Sequence, residues 1–245
     1  IIIITVIVQI SSYGEVNAIC KSMLSIDHFS TVWEEGCKVK TPYCKNMFEP
    51  NCEDGCASIE IKNHNLTKLP ENIVKMTTMK KLSIQSGPLN ILPAEMEKMK
   101  YLTFLDLKHN NLNNFNVNIT KYEYLSRLHL SFNNITTIDN SVFLHETLQS
   151  VWINSNVGLK FPSTIKLPFL FYLDARNNSV EIPSLGKDQL PSILYLYLNG
   201  NKMPDGVIPE TFNELSSTLV KIGVADCEII SLPVYLNAFE KVKYL

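Results

Sequence analysis

The chain has 245 residues, enough to bury a full core as one large domain or one elongated array. Apolar residues make up 45% and charged residues 19%, which excludes a disordered chain and a bundle of membrane spans. A formal net charge of -2 is no electrostatic footprint for nucleic acid, and no basic run would hold the chain on an acidic membrane.

Residues 1–14 read IIIITVIVQISSYG, with eight of the first ten Ile or Val and no charge. A membrane span needs about 20 apolar residues, and this run is roughly half that. It fits the surviving end of a signal-peptide apolar region, with the small residues Ser12 and Gly14 placed for cleavage before Glu15. The tail of a truncated membrane helix and a buried strand are the other readings. The first two put the rest of the chain outside the cytosol, and the missing initiator Met suggests a fragment.

Residues 15–55 hold Cys20 and then Cys37, Cys44, Cys52 and, at the boundary, Cys56. Four clustered cysteines allow three disulfide connectivities, which sequence alone does not separate. A zinc site is the rival, although it usually takes paired short spacings that are absent here. Reduced thiols in a cytosolic protein are the third reading. Cys20 is the odd one, free or paired elsewhere.

Residues 56–245 repeat. The segments LTFLDLKHNNLNNF (102–115), LSRLHLSFNNITTI (125–138), LFYLDARNNSV (170–180) and ILYLYLNGNKM (193–203) fit L-x-x-L-x-L-x-x-N-x-L. Weaker copies begin at 56, 79, 148 and 219, so the eight copies are spaced by 23, 23, 23, 23, 22, 23 and 26 residues. A ninth begins at Val242. Positions four and six alternate apolar with solvent-facing neighbours, which is strand period. The second half of many copies begins with proline, at Pro70, Pro93, Pro162, Pro209 and Pro233, and proline suits the first turn of a helix.

This register resembles the leucine-rich repeat superfamily over about 190 of the 245 residues. The resemblance implies an α/β fold: a right-handed solenoid with a curved parallel sheet on its concave face and short 3₁₀ or helical turns on its convex face. It also implies that residues 15–55 form a cysteine-rich cap, with two disulfides among Cys37, Cys44, Cys52 and Cys56. Position nine, which reads His64, Gly87, Asn110, Asn133, Asn156, Asn178, Asn201 and Cys227, points inward in that family. Asn there satisfies backbone groups that the turn would otherwise leave unpaired, at roughly 1–3 kcal/mol each. Cys227 then reads as a buried, unpaired thiol, too far from the cap for a disulfide.

His64 and Gly87 depart from the column, which predicts irregular first turns. The copy from Ile193 is three residues longer, and its Gly206-x-Ile208-Pro209 is reminiscent of the plant-type variant, so a bulge is expected there. The copy from Leu148 carries an extra residue near Gly158. Sequons at Asn65, Asn118, Asn134 and Asn177 are glycosylation candidates, about as many as composition alone would produce. None occupies a core-facing position.

No H-E-x-x-H, G-x-S-x-G, G-x-G-x-x-G or P-loop occurs, and the five histidines are scattered singly. No cofactor is implied, and this stretch reads as non-catalytic; a catalytic domain beyond it is a separate matter. What remains is a surface. Positions three, five, seven and eight face out from the sheet. They place Trp152, Tyr172, Tyr195 and Tyr197 on three consecutive strands, with Arg127 and His129 beside them, Asp174 among them and Phe104 further along. Exposed Trp, Tyr and Arg mark binding hot spots; mutual stacking along the sheet is the alternative. Phe132, at position eight, reads as turn packing.

The expected function is recognition of a protein, peptide or glycan by the extracellular domain of a secreted or cell-surface protein. The chain is similar to receptor ectodomains, including ones that continue into a membrane span and a kinase. An intracellular scaffold for a GTPase or phosphatase is the second reading. A secreted inhibitor of another organism's enzyme is the third.

Overall fold

The computed structural model of the chain describes residues 5–9, 57–69, 71–75, 79–239 and 241. The cap at 15–55, with Cys20, Cys37, Cys44 and Cys52, lies outside the described residues, as does Cys56. The chain forms two compact units. One is Ile1–Asn111 with Lys121–Leu125; the other is Leu112–Thr120 with Ser126–Leu245.

In the first unit, Ala57–Lys62 pairs parallel with Met79–Gln85, which pairs parallel with Phe104–Asp106. On the other side of Ala57–Lys62 runs Thr5–Gln9, antiparallel, which is the geometry of the strand reading of the opening run. The second unit is a ladder of five parallel strands: Arg127–His129, Ser150–Trp152, Tyr172–Asp174, Tyr195–Tyr197 and Lys221–Gly223. Every rung joins the same repeat position in neighbouring copies, as in Leu128↔Val151 and Leu173↔Leu196.

The L-x-L pattern causes this arrangement. Period two sends positions four and six to one side, where Leu82, Ile84, Leu105 and Leu107 are fully buried in the first unit. Leu196 and Leu198 are fully buried in the second. Position one joins them through Leu148, Leu170, Ile193 and Leu219. Each such side chain contributes about 1.5–3 kcal/mol when fully buried, and a single copy cannot cover its own apolar face, so stacking and folding are one event.

The chain leaves each strand through a residue in the left-handed region. Position eight has positive φ in all eight copies: Asn63, Ser86, His109, Phe132, Ser155, Asn177, Gly200 and Asp226. A non-glycine residue there costs roughly 1–2 kcal/mol, less for Asn and Asp. The first two turns therefore share the backbone geometry of the rest, despite His64 and Gly87. Phe132, at its turn, is 47% exposed.

Beyond the turns run short 3₁₀ segments, such as Glu71–Lys75 and Met96–Lys98 in the first unit and Glu210–Leu215 and Val234–Ala238 in the second. Pro209 and Pro233 stand one residue before their segments, with extended ψ of 140° and 146°, not inside the first turn. Their carbonyls accept the first 3₁₀ hydrogen bonds, from Phe212 and Leu236. Pro162 is followed by no helix at all. The long copy adds the turn Pro204–Gly206, where Asp205 and Gly206 both have positive φ, and Gly158 absorbs the extra residue of its copy at φ 90°.

Candidate ligand-binding face

Strand register sets two rows of side chains on the sheet face of the second unit. Position three runs Arg127, Ser150, Tyr172, Tyr195, Lys221, and position five runs His129, Trp152, Asp174, Tyr197, Gly223. The rings form one connected series. Centroids are 5.2 Å apart for His129–Trp152, 5.1 Å for Trp152–Tyr172, 6.1 Å for Tyr172–Tyr195 and 5.5 Å for Tyr172–Tyr197. Interplanar angles of 33° to 50° are tilted contacts, which expose ring edges and part of each face. All five rings are half-buried and Arg127 is exposed. The two readings of this surface are compatible: the rings support one another and still face solvent. Phe104 is half-buried in the first unit, opposite Lys81, and among the described residues no ring contact is seen for it.

Asp174 is buried, and its two oxygens accept from Arg176 Nε at 2.8 Å and Nη2 at 2.7 Å. This bidentate pair fixes the guanidinium, whose Cζ lies 5.4 Å from the Tyr197 ring centroid. Lys221 Nζ lies 5.4 Å from the same centroid. Tyr197 is thus a seat for two cations. The Asp174 bond raises the Arg176 pKa. Burial, and next the Asp174 carboxylate, raises that of the Tyr172 phenol, so Tyr172 is a neutral hydrogen-bond donor at physiological pH. Arg176 has no place among the residues expected from sequence. Its signal was there: position seven, two residues after an Asp on the same face. The pattern recurs in the first unit, where buried Asp106 accepts from the Lys108 backbone N–H at 3.1 Å.

Behind the second unit's face, position nine stitches the strands together. Asn156 donates to the Leu130 carbonyl at 3.1 Å and to its own copy's Ile153 carbonyl at 3.0 Å, and accepts from the Ile135 N–H at 3.0 Å. Asn201 repeats this with Ala175, Leu198 and the Asn178 N–H. Asn178 donates to Ala175 and accepts from the Asn156 N–H. Asn133 donates to Leu130 and accepts from the Leu112 N–H. In the first unit Asn110 donates to the Ile84 and Leu107 carbonyls. Cys227, 2% exposed, offers its thiol to the Leu198 carbonyl at 3.2 Å. Burial raises its pKa, so the reactive thiolate is suppressed.

The sequon residues Asn65, Asn118, Asn134 and Asn177 are all exposed. Among the described residues no cluster of His, Cys, Asp and Glu is arranged to hold a metal ion. None of the described helices is long and apolar enough to cross a membrane.

Parallel strands stacked one per repeat, with an inward ladder of hydrogen-bonding side chains, define a repeat protein whose copies bury one another. No family model and no curated protein matches the sequence. Solved structures do match. The leucine-rich repeat domain of the type III effector XopL aligns over 95% of this chain and 89% of its own, at 16% identity and TM-score 0.57. A chain of the mouse RP105/MD-1 complex aligns over 79% of this chain at 20% identity and TM-score 0.55. A leucine-rich repeat protein of Leptospira interrogans is 23% identical over 75% of this chain, at TM-score 0.43. This chain covers 58% of the Leptospira chain and 38% of the mouse one. The chain has the leucine-rich repeat fold.

Proposed function

We propose that this chain is a non-catalytic recognition module, the extracellular domain of a secreted or cell-surface protein, which binds a protein, peptide or glycan on its sheet face. The observation that carries this reading is the series His129–Trp152–Tyr172–Tyr195/Tyr197, half-exposed and joined to the fixed Arg176 guanidinium. Rings held by their neighbours lose little freedom when a ligand arrives, which is how aromatic hot spots gain affinity. The mouse neighbour is itself part of a protein complex, RP105 with MD-1. The cysteine cluster at 37–56, read as a disulfide-bonded cap, supports the extracellular placement, and the exposed sequons are compatible with it.

The test is selection from a random-peptide display library and a glycan array. Wild type is expected to enrich a distinct ligand set, and the double variant Trp152→Ala/Tyr195→Ala to enrich none while its melt stays nearly unchanged. Equal enrichment by both proteins, or a large loss of stability in the variant, would mean that the rings only hold the sheet together.

Thiol labelling tests the placement and the ladder together. In folded protein Cys227 is expected to react about a hundredfold or more slower than after unfolding, because its thiol is exposed only by opening the last copies. Unfolding without reductant is expected to leave Cys37, Cys44, Cys52 and Cys56 unreactive as disulfides. Four or more free thiols among those four and Cys20 would instead favour the intracellular scaffold.

A further inference from the structure

We propose that the sheet face of the second unit takes an extended peptide whose apolar or aromatic centre is flanked by acidic residues about six positions apart. This rests on the binding reading above and narrows it.

The charge on this face runs against that of the chain. Positions two, three, five, seven and eight of the five copies from Leu125 hold the cations Arg127, Arg176 and Lys221 and the carboxylates Asp174 and Asp226, while the whole chain is at -2. Asp174 is buried and bonded through both oxygens to Arg176, so that pair projects little net charge of either sign, and Arg127 and Lys221 carry the charge of the position-three row. Asp226 lies at the turn of the last copy, at φ 54°.

The position-three row has a cation at each end and rings between: Arg127, Ser150, Tyr172, Tyr195, Lys221. Arg127 is exposed. At the far end Lys221 Nζ and the Arg176 guanidinium gather about the Tyr197 ring, each 5.4 Å from its centroid. Four strand spacings of about 4.8 Å separate the two ends, about 19 Å of sheet. An extended chain rises about 3.3 Å per residue, so about six residues span the row. The rings accept apolar or aromatic side chains from the middle of such a peptide, and the end cations accept carboxylates. A basic ligand would bring like charges together at both ends.

The experiment repeats the random-peptide selection with wild type, Arg127→Glu and Lys221→Glu. Wild type is expected to enrich peptides with an aromatic or aliphatic centre and Asp or Glu on both sides. Affinity for an enriched peptide is expected to fall about tenfold with each reversal, and to fall as salt rises. Neutral or basic enriched sequences, or affinity indifferent to both reversals, would overturn the proposal while leaving the binding face intact. Enrichment on the glycan array alone would do the same. If wild type enriches no more than Trp152→Ala/Tyr195→Ala, the binding reading itself falls. Should a reversal disturb the melt, Arg127→Gln, Lys221→Gln and the salt titration of wild type decide the matter.

Discussion

Asn156→Ala is expected to destabilise the chain by about 3 kcal/mol, more than truncation of any exposed residue on the sheet face. Asn156 is fully buried, and its amide joins the Ile135 N–H to the Leu130, Ile153 and Asn154 carbonyls. Alanine removes the acceptor of the Ile135 N–H and the donor to the Ile153 carbonyl. Water does not reach either, so each loses the stabilisation of a bond and keeps the cost of burial, roughly 1–3 kcal/mol apiece. The Leu130 carbonyl suffers less, since Asn133 still donates to it at 2.9 Å. The measurement is the denaturant midpoint together with amide exchange at Ile135, which should accelerate ahead of its neighbours. Asn110→Ala is the internal comparison. Asn110 Oδ1 has no hydrogen-bond partner, so that variant loses only donated bonds and should cost less. Equal losses at both sites would mean that cavity formation, not the ladder, sets the energy.

Cys227 shows how much of the ladder one end can forgo. Its thiol reproduces the donation to the preceding copy, to the Leu198 carbonyl, but sulfur is a poor acceptor. The N–H that needs an acceptor, that of Met203, is taken by the Cys227 main-chain carbonyl at 3.1 Å instead. At Cys227 the side chain keeps the donated bond while acceptance passes to the backbone.

The spacing of Leu, Ile and Val was enough to place the strands, the buried positions and both rows of the face, because a period of two within a period of about 23 has few other physical solutions. The left-handed column was legible only in part. Gly200, and less strongly Asn63, Asn177 and Asp226, are residues that tolerate positive φ, whereas Phe132, Ser86 and Ser155 adopt it against their own preference. The Asp174–Arg176 pair escaped because each residue was weighed by column and not with its neighbour two positions on. The same habit made His64 and Gly87 look like two defects, when they form one packing unit.

Gly87→Ala is expected to cost about 1–3 kcal/mol, although the position has ordinary backbone geometry. A Cβ at Gly87 would clash with the imidazole of His64, most closely with Cε1 and Nδ1. The ring of the first copy fills the place of the side chain that the second copy lacks. His64 is 2% exposed, and its Nδ1 accepts from the Leu66 N–H at 3.1 Å, which leaves the proton on Nε2. Nε2 and Asn110 Oδ1 both fall short of a full hydrogen bond. Burial lowers the His64 pKa to about 4, and interaction with Asn110 raises it only in part. In the unfolded chain the ring titrates near 6.5. Above 6.5 both states are neutral and the fold bears no penalty. As pH falls from 6.5 to about 4 the unfolded chain gains a proton that the fold refuses, and stability drops by up to about 3 kcal/mol. Asp106, whose pKa burial raises, works with the opposite sign, so the signature is read as a difference between wild type and His64→Asn. That difference should shrink with acid over this window and flatten below it. His64→Ala should also relieve the Gly87→Ala strain, making the double variant less unstable than the sum of the singles by about 1–2 kcal/mol. Strict additivity would show that the ring and the glycine do not share that space.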